Sequence, residues 1–318
     1  MYEGIEDIYR LLDAGRLKEA LTQLQGISAQ TNRWELRNQI ESTLTAYGYM
    51  LQYAQQGMDD PNRKLFYQQT LRSAYELTDA TNIALLALKK SGSYFDRIRT
   101  FALQPAKAYS ELEMQLETFT EDVTTAPLLY HEEKRRQAEM GKIYQAHESA
   151  LSELFYKTWT TPFWTDNEAR EATSLLQSML VSTNDLAVMV SAITLSLLRV
   201  FDAKKFHFLL EAYKHENLQV SQRALVGIVI CMTKHERRIP LYPEVTSRLS
   251  LLCEEEGFQK NLHTIQMQLL ITRETTKIDK KMREEIIPEM IKNSKQLNDP
   301  KFRFDESEEP EDRNPEWE

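Results

Sequence analysis

The chain is short of breakers. Its 318 residues include 9 Gly and 10 Pro, well below ordinary usage. Scarce breakers exclude a fold of many tight turns and short strands, and leave helix as the default. Cysteine is almost absent. Cys231 and Cys253 form no CxxC pair and sit at apolar helical positions, so they read as small buried hydrophobes in a reducing compartment. Long apolar runs are missing too. The longest, Leu186–Leu198, is interrupted by Ser191, Thr194 and Ser196 and stops at Arg199. That is too short to span a bilayer. The start, MYEGIEDIYRLLDAG, has no basic region ahead of an apolar core, so no secretory leader is expected. A cytoplasmic location with no membrane partner follows as an expectation.

Positive charge is in the minority. The net charge is −9; eight carboxylates against Arg313 place −7 in residues 305–318, which leaves −2 for residues 1–304. A near-neutral body lacks the basic stripe of a nucleic-acid binder, so that partner is not expected. Catalytic signatures are also missing. GxGxxG, GxxxxGK[ST] and GxSxG do not occur, nor do HExxH or ExxH. Glu211 and His215 lie four apart and share a helix face, which suits an ion pair more than half a metal site. Adjacent carboxylates such as Glu132/Glu133 and Glu284/Glu285 point about 100° apart on a helix and do not converge. No cofactor, metal or catalytic residue is therefore assigned.

What is present is helical periodicity. Residues 184–234 carry an internal echo at a spacing of about 32 residues: Leu218 falls on Leu186, Val220 on Val188, Ala224 on Ala192 and Leu225 on Ile193. Ile5, Ile8, Leu11 and Leu12 form one apolar stripe, and Leu17, Ala20, Leu21 and Leu24 the next. Gly15 suits the turn between them. A helix from 33 to 56 is expected to close at Gly57. Asp60-Pro61 opens a helix that ends near Thr78, with a short one over 82–90. Pro105 starts a helix to Glu121, and Thr124–Pro127 reads as a non-helical joint. A long polar helix over 128–158 follows. Helices over 167–181, 184–201, 203–214, 217–235, 244–256, 258–274 and 277–292 complete the pattern.

The phrase LLDAGRLKEALTQL resembles tetratricopeptide repeats, in which a Gly ends one helix and an Ala lets the next approach. KKFHFLLEAYKHENLQVSQRALVGIVICM resembles a HEAT-type repeat. The resemblance implies that Val220 and Ala224 pack inward and that Arg223 stands at an often-basic position. The whole looks like the N-terminal part of long helical-repeat proteins of gut Bacteroides-type bacteria. The expected fold is thus all-α: a right-handed α-solenoid of stacked antiparallel helix pairs. Residues 1–160 form a tetratricopeptide-like half, 161–293 a HEAT-like half, and 294–318 a disordered or extended acidic tail.

Stacked helix pairs make an extended surface and no enclosed pocket. The expected function is a non-enzymatic scaffold that binds a protein or peptide. One alternative is a helical-repeat enzyme or binder acting on nucleotides or nucleic acid. Another is a regulatory or oligomerising module, marked by an apolar patch near 258–292. Two candidate contact sites stand out. Trp159, Phe163 and Trp164 cluster in the connection WTTPFWTDNEA, either as partner contacts or as a buried plug. Lys277, Lys280, Lys281 and Arg283 form a basic cluster, either an acidic-partner site, a seat for the tail, or a solvated face. Tyr47, Tyr49, Tyr53, Tyr67 and Tyr75 are core or groove residues.

Overall fold

Left-handed glycines and polar caps cut the chain into helices. Gly15 (φ 72°) and Gly57 (φ 74°) end the first and third, a conformation that costs a side-chain-bearing residue more. Gly15 N–H donates to the Leu12 carbonyl and Arg16 N–H to that of Leu11. Later helices start on side-chain caps: Ser182, Asp202 and Asn217 each accept from a first-turn N–H. Thr165 and Glu168 form a full capping box.

The computed structural model describes residues 2–57, 60–88, 93–102 and 107–290. Among these are thirteen α-helices and no strand. They are α1 (Ile5–Asp13), α2 (Leu17–Ser28), α3 (Trp34–Gln55), α4 (Arg63–Leu88), α5 (Tyr94–Ala102), α6 (Tyr109–Leu129) and α7 (Glu133–Thr160). Then follow α8 (Asp166–Gln177), α9 (Thr183–Arg199), α10 (Ala203–Tyr213), α11 (Leu218–Lys234), α12 (Pro243–Cys253) and α13 (Glu256–Lys281). A 3-10 turn, Ile239–Leu241, precedes α12, and a π turn, Met282–Ile286, follows α13. No described helix is long and apolar enough to cross a membrane. The acidic tail 294–318 and Pro105 lie outside the described residues.

By compactness the chain divides after Leu262, with Met1–Leu262 as one unit and His263–Glu318 as the other. The aromatic joint at 159–164 lies inside the first unit. That unit has two parts. Helices α1–α4 form a bundle: α1 packs on α2 and α4, α3 packs on α2 and α4, and α2 and α4 touch each other. Its core holds Ile5, Ile8, Leu12, Leu21, Leu24 and Ile40, all at most 2 % exposed. Helices α5–α12 form a two-layer stack. One layer runs α6, α8, α10, α12 and the other α5, α7, α9, α11, each helix packing on the next in its own layer. This is the stacked-pair arrangement that the 32-residue echo predicts.

The echo works through burial. Ala192, Ile193, Val220 and Ala224 are all 0 % exposed and Leu225 is 1 %. Leu218 departs from it at 68 % exposed. The α9–α11 approach is close: a Cβ on Gly227 would collide with the Thr194 side chain. Arg223 ties the pair from outside, donating to the Ser191 hydroxyl at 3.2 Å.

Several element boundaries differ from the sequence pattern. Helix α4 runs unbroken through Thr78, and the Thr78 and Thr81 hydroxyls are accommodated within it by donating to the Ala74 and Leu77 carbonyls. Asp79 and Asn82 find tertiary partners there. Thr124–Pro127 is helical, not a joint. Pro127 sits in the last turn of α6, where its missing N–H costs one hydrogen bond, and the Thr124 and Thr125 hydroxyls bond the preceding turn's carbonyls. Helix α13 does not break at 275, where Thr272 and Thr275 likewise bond back to Gln268 and Ile271. Cys253 is exposed, in contrast to buried Cys231. It is the last residue of α12. Glu211 does not pair with His215; it bonds Arg248 at 2.6 Å, while His215 Nδ1 accepts from Asn217 N–H.

In the second unit α13, the π turn and the helical residues 287–290 after it carry a stripe at Ile271, Ile278, Met282, Ile286 and Met290, all at least 37 % exposed. Successive steps of four drift by about 40° each on an α-helix. The wider π turn over 282–286 offsets that drift, so the stripe stays on one side.

Candidate functional site

Bundle and stack meet along a seam, and the 3-10 turn is where the chain closes it. Helix α4 packs on that turn. Arg238, just before it, donates from both terminal nitrogens to Asp79 at 2.5 and 3.3 Å. Tyr9 donates to the same carboxylate. Burial pushes the Asp79 carboxyl up, against the opposing pull of Arg238 and the Tyr9 hydrogen bond. Burial also pulls Arg238 down, but Asp79 outweighs it and holds the guanidinium charged. Arg237 adds a bond to the Asp13 carbonyl at 2.7 Å, and Arg72 on α4 pairs with Glu244 on α12 at 3.1 Å.

Beside this closure the seam opens into a cleft of about 740 Å³. Gln39, Ser42, Thr43, Arg72 and Glu76 form its bundle wall. Phe163, Trp164, Asp202, Lys204 and His207 form the stack wall, with Tyr242 and Glu244 at one end. The polar groups are mostly engaged. Glu76 accepts from Tyr242 at 3.0 Å and from Arg72, whose guanidinium lies 4.0 Å from the Tyr242 ring centroid. Lys204 bridges the Trp164 carbonyl at 3.0 Å and Asp166 at 2.7 Å. His207 is the exception: its Nδ1 is buried with no hydrogen-bond partner among the described residues. Burial lowers its pKa, helped by the nearby Arg248 charge.

The aromatic joint splits three ways. Trp164 is 3 % exposed. Its N–H donates to Asp202 at 2.8 Å, its indole Nε1–H to the Tyr109 hydroxyl at 3.0 Å, and its ring meets Tyr109 and Phe208 edge-on. Beneath it lies Lys205, 0 % exposed, whose ammonium is surrounded by the Thr158 and Thr161 carbonyls and the Ser196 hydroxyl. Burial pushes its pKa down to about 7. Two of those acceptors belong to the C-terminal end of α7, where a positive charge is favoured. Phe163, in contrast, is 38 % exposed and faces the cleft. Trp159 faces a different cavity, with Phe95 edge-on at 5.1 Å.

The basic cluster is in the second unit. Lys277 pairs with Glu274 at 2.7 Å, Lys281 with Glu285 at 4.0 Å and Arg283 with Asp279 at 3.1 Å, all on the helix surface; Lys280 is exposed. Surface pairs of this kind contribute little to stability. The cleft residues that sequence reading missed are Arg72, Glu76, His207, Tyr242 and Glu244. No motif marks them, since three separate helices and a turn bring them together. Among the described residues no group of three His, Cys, Asp or Glu side chains could hold a metal ion.

Comparisons with family models, with curated proteins and with solved structures gave no significant match.

Proposed function

We propose that this chain is a non-enzymatic interaction scaffold that holds a peptide segment of a protein partner in the seam cleft. The cytoplasm is its expected compartment. In this reading α1–α2 pack in the tetratricopeptide manner and α10–α11 in the HEAT manner. The observation that carries the reading is the open 740 Å³ cleft with exposed Phe163 in its wall. Its volume suits a few residues of a ligand chain, and Phe163 offers an aromatic anchor beside the His207 ring in the same wall. Cleft charges are mixed: Arg72 and Lys204 stand against Glu76, Asp202 and Glu244, a balance of −1 with His neutral. That balance counts against a polyanion such as nucleic acid.

The test is cross-linking of the purified chain in a cell lysate, with wild type beside Phe163→Ala and His207→Ala. A partner peptide that maps to the cleft, and is lost in both variants, supports the reading. Capture of nucleic acid in place of a protein, or capture indifferent to both substitutions, overturns it.

A second reading rests on the stripe Ile271, Ile278, Met282, Ile286 and Met290. A single helix with one apolar side pairs readily with a copy of itself, which makes the second unit an oligomerising module. Light scattering of wild type against Ile278→Ser/Met282→Ser tests it; a concentration-independent monomer for wild type sinks it.

A further inference from the structure

The seam holds a second cavity, of about 200 Å³, with a charge excess that its walls do not satisfy. Phe95, Trp159, Pro162, Ile83 and Leu198 supply apolar walls. Two guanidiniums line it, Arg99 from α5 and Arg199 from the last turn of α9. Among the described residues a single carboxylate, Asp96, lines it with them. Asp96 lies 3.4 Å from Arg99, and its other oxygen accepts from the Ser93 hydroxyl at 2.7 Å. Two positive charges against one negative leave an excess of one.

The donors are also unspent. Arg99 Nε is buried with no partner among the described residues. The Arg199 guanidinium stacks 3.5 Å from the Phe95 ring centroid and makes no hydrogen bond or ion pair with a described side chain. Burial lowers the Arg199 pKa; Asp96 opposes that and Arg99 adds to it. A guanidinium presents five N–H donors in a planar fork, and stacking on an aromatic face leaves its edge free. Here that edge adjoins a small aromatic-walled space.

We propose that this cavity binds a carboxylate carried on a small apolar or aromatic group, held by Arg99 and Arg199 and packed on Trp159 and Phe95. One negative charge matches the excess, whereas a phosphate dianion overshoots it. A planar carboxylate fits the guanidinium fork. The carboxylate has two sources, a free organic acid or the end of a peptide chain. This subsite is separate from the Phe163 cleft and stands whether or not a partner binds there.

The test is an NMR titration of the full chain read at the Trp159 indole N–H, assigned with Trp159→Phe. The probes are benzoate, a tetrapeptide ending in Phe with a free C-terminus, its amidated twin, and inorganic phosphate. Saturable shifts with benzoate or the free-acid peptide, at a Kd of about 1 mM or tighter, are expected. Arg199→Gln weakens that binding about tenfold to a hundredfold, with circular dichroism unchanged, and Arg199→Lys falls between. Arg99→Gln gives the same loss independently. Preference for the free-acid peptide over benzoate names a chain terminus as the source; the reverse names a small acid. No shift with any carboxylate, a shift with phosphate alone, equal binding of the amidated peptide, or binding unchanged in both Gln variants overturns the proposal.

Discussion

Asp79 on α4 and Arg238 ahead of the 3-10 turn stand 159 residues apart in sequence and 2.5 Å apart in the fold. Both are buried, at 2 % and 8 % side-chain exposure. Tyr75 and Phe201 pack their rings on the guanidinium. This pair joins the first bundle to the far end of the stack and passes over the helices between them.

Its removal has a definite signature. Asp79→Leu or Arg238→Met alone leaves one uncompensated buried charge, which costs about 3–5 kcal/mol. The double variant Asp79→Leu/Arg238→Met recovers much of that loss, because it removes both charges together. Urea denaturation of the three variants measures the coupling.

The two aromatics of the joint separate by experiment. Trp164→Ala empties a packed site and strips the Tyr109 hydroxyl of the indole N–H, at a cost of about 3–5 kcal/mol. Phe163→Ala, half in solvent, stays within about 1 kcal/mol of wild type. Only the second is therefore a fair probe of partner binding. Thermal melts of both variants decide this before any capture experiment.

Lys205→Met tests the pin under Trp164. The substitution keeps the stem and removes the ammonium, so two buried carbonyls and the Ser196 hydroxyl lose a donor. A loss of roughly 2–3 kcal/mol is expected. Hydrogen exchange localises it to the end of α7 and the start of α10.

Acid stability carries the mark of His235. Burial, with Arg238 and Lys234 nearby, pushes its pKa down to about 4, against the pull of the Leu197 carbonyl. An unfolded His binds its proton near pH 6.5. Between these values the unfolded chain holds more protons than the folded one, so stability falls as pH drops from about 6.5 to about 4. The span corresponds to about 3 kcal/mol. Urea midpoints across that range should decline in wild type, and His235→Gln should flatten the decline.

Gly227→Ala drives a methyl group into Thr194 and should cost about 1–3 kcal/mol. Thr194→Ala opens the space, so the double variant regains part of that stability. A single variant as stable as wild type would mean that α9 and α11 separate at no cost, and a double variant no better than Gly227→Ala would mean that Thr194 is not the obstacle.

Much of the helical layout was legible in the residues themselves. Ala192, Ile193, Val220, Ala224 and Leu225 all point inward because a 3.6-residue period and a repeat of 32 residues leave one face for packing. Pro127, Thr78 and Thr275 misled, since each looks like a breaker. The hydroxyls of the neighbouring or identical threonines return their hydrogen bonds to the helix, and Pro127 sits where little is lost. Cys253 and the Glu211–His215 pair misled for a related reason: spacing says which residues share a face, not what covers that face.

The seam was not legible at all. By itself the sequence determined an all-helical chain, its layered pairs, its neutral body and the concentration of negative charge in residues 305–318, because those follow from composition and local period. Only the tertiary structure decided that Asp79 meets Arg238, that Trp164 is buried while Phe163 is open, and that Arg99 and Arg199 share one cavity. These are contacts between helices far apart in sequence. Their partners are chosen by how the bundle docks on the stack, and no local pattern encodes that choice.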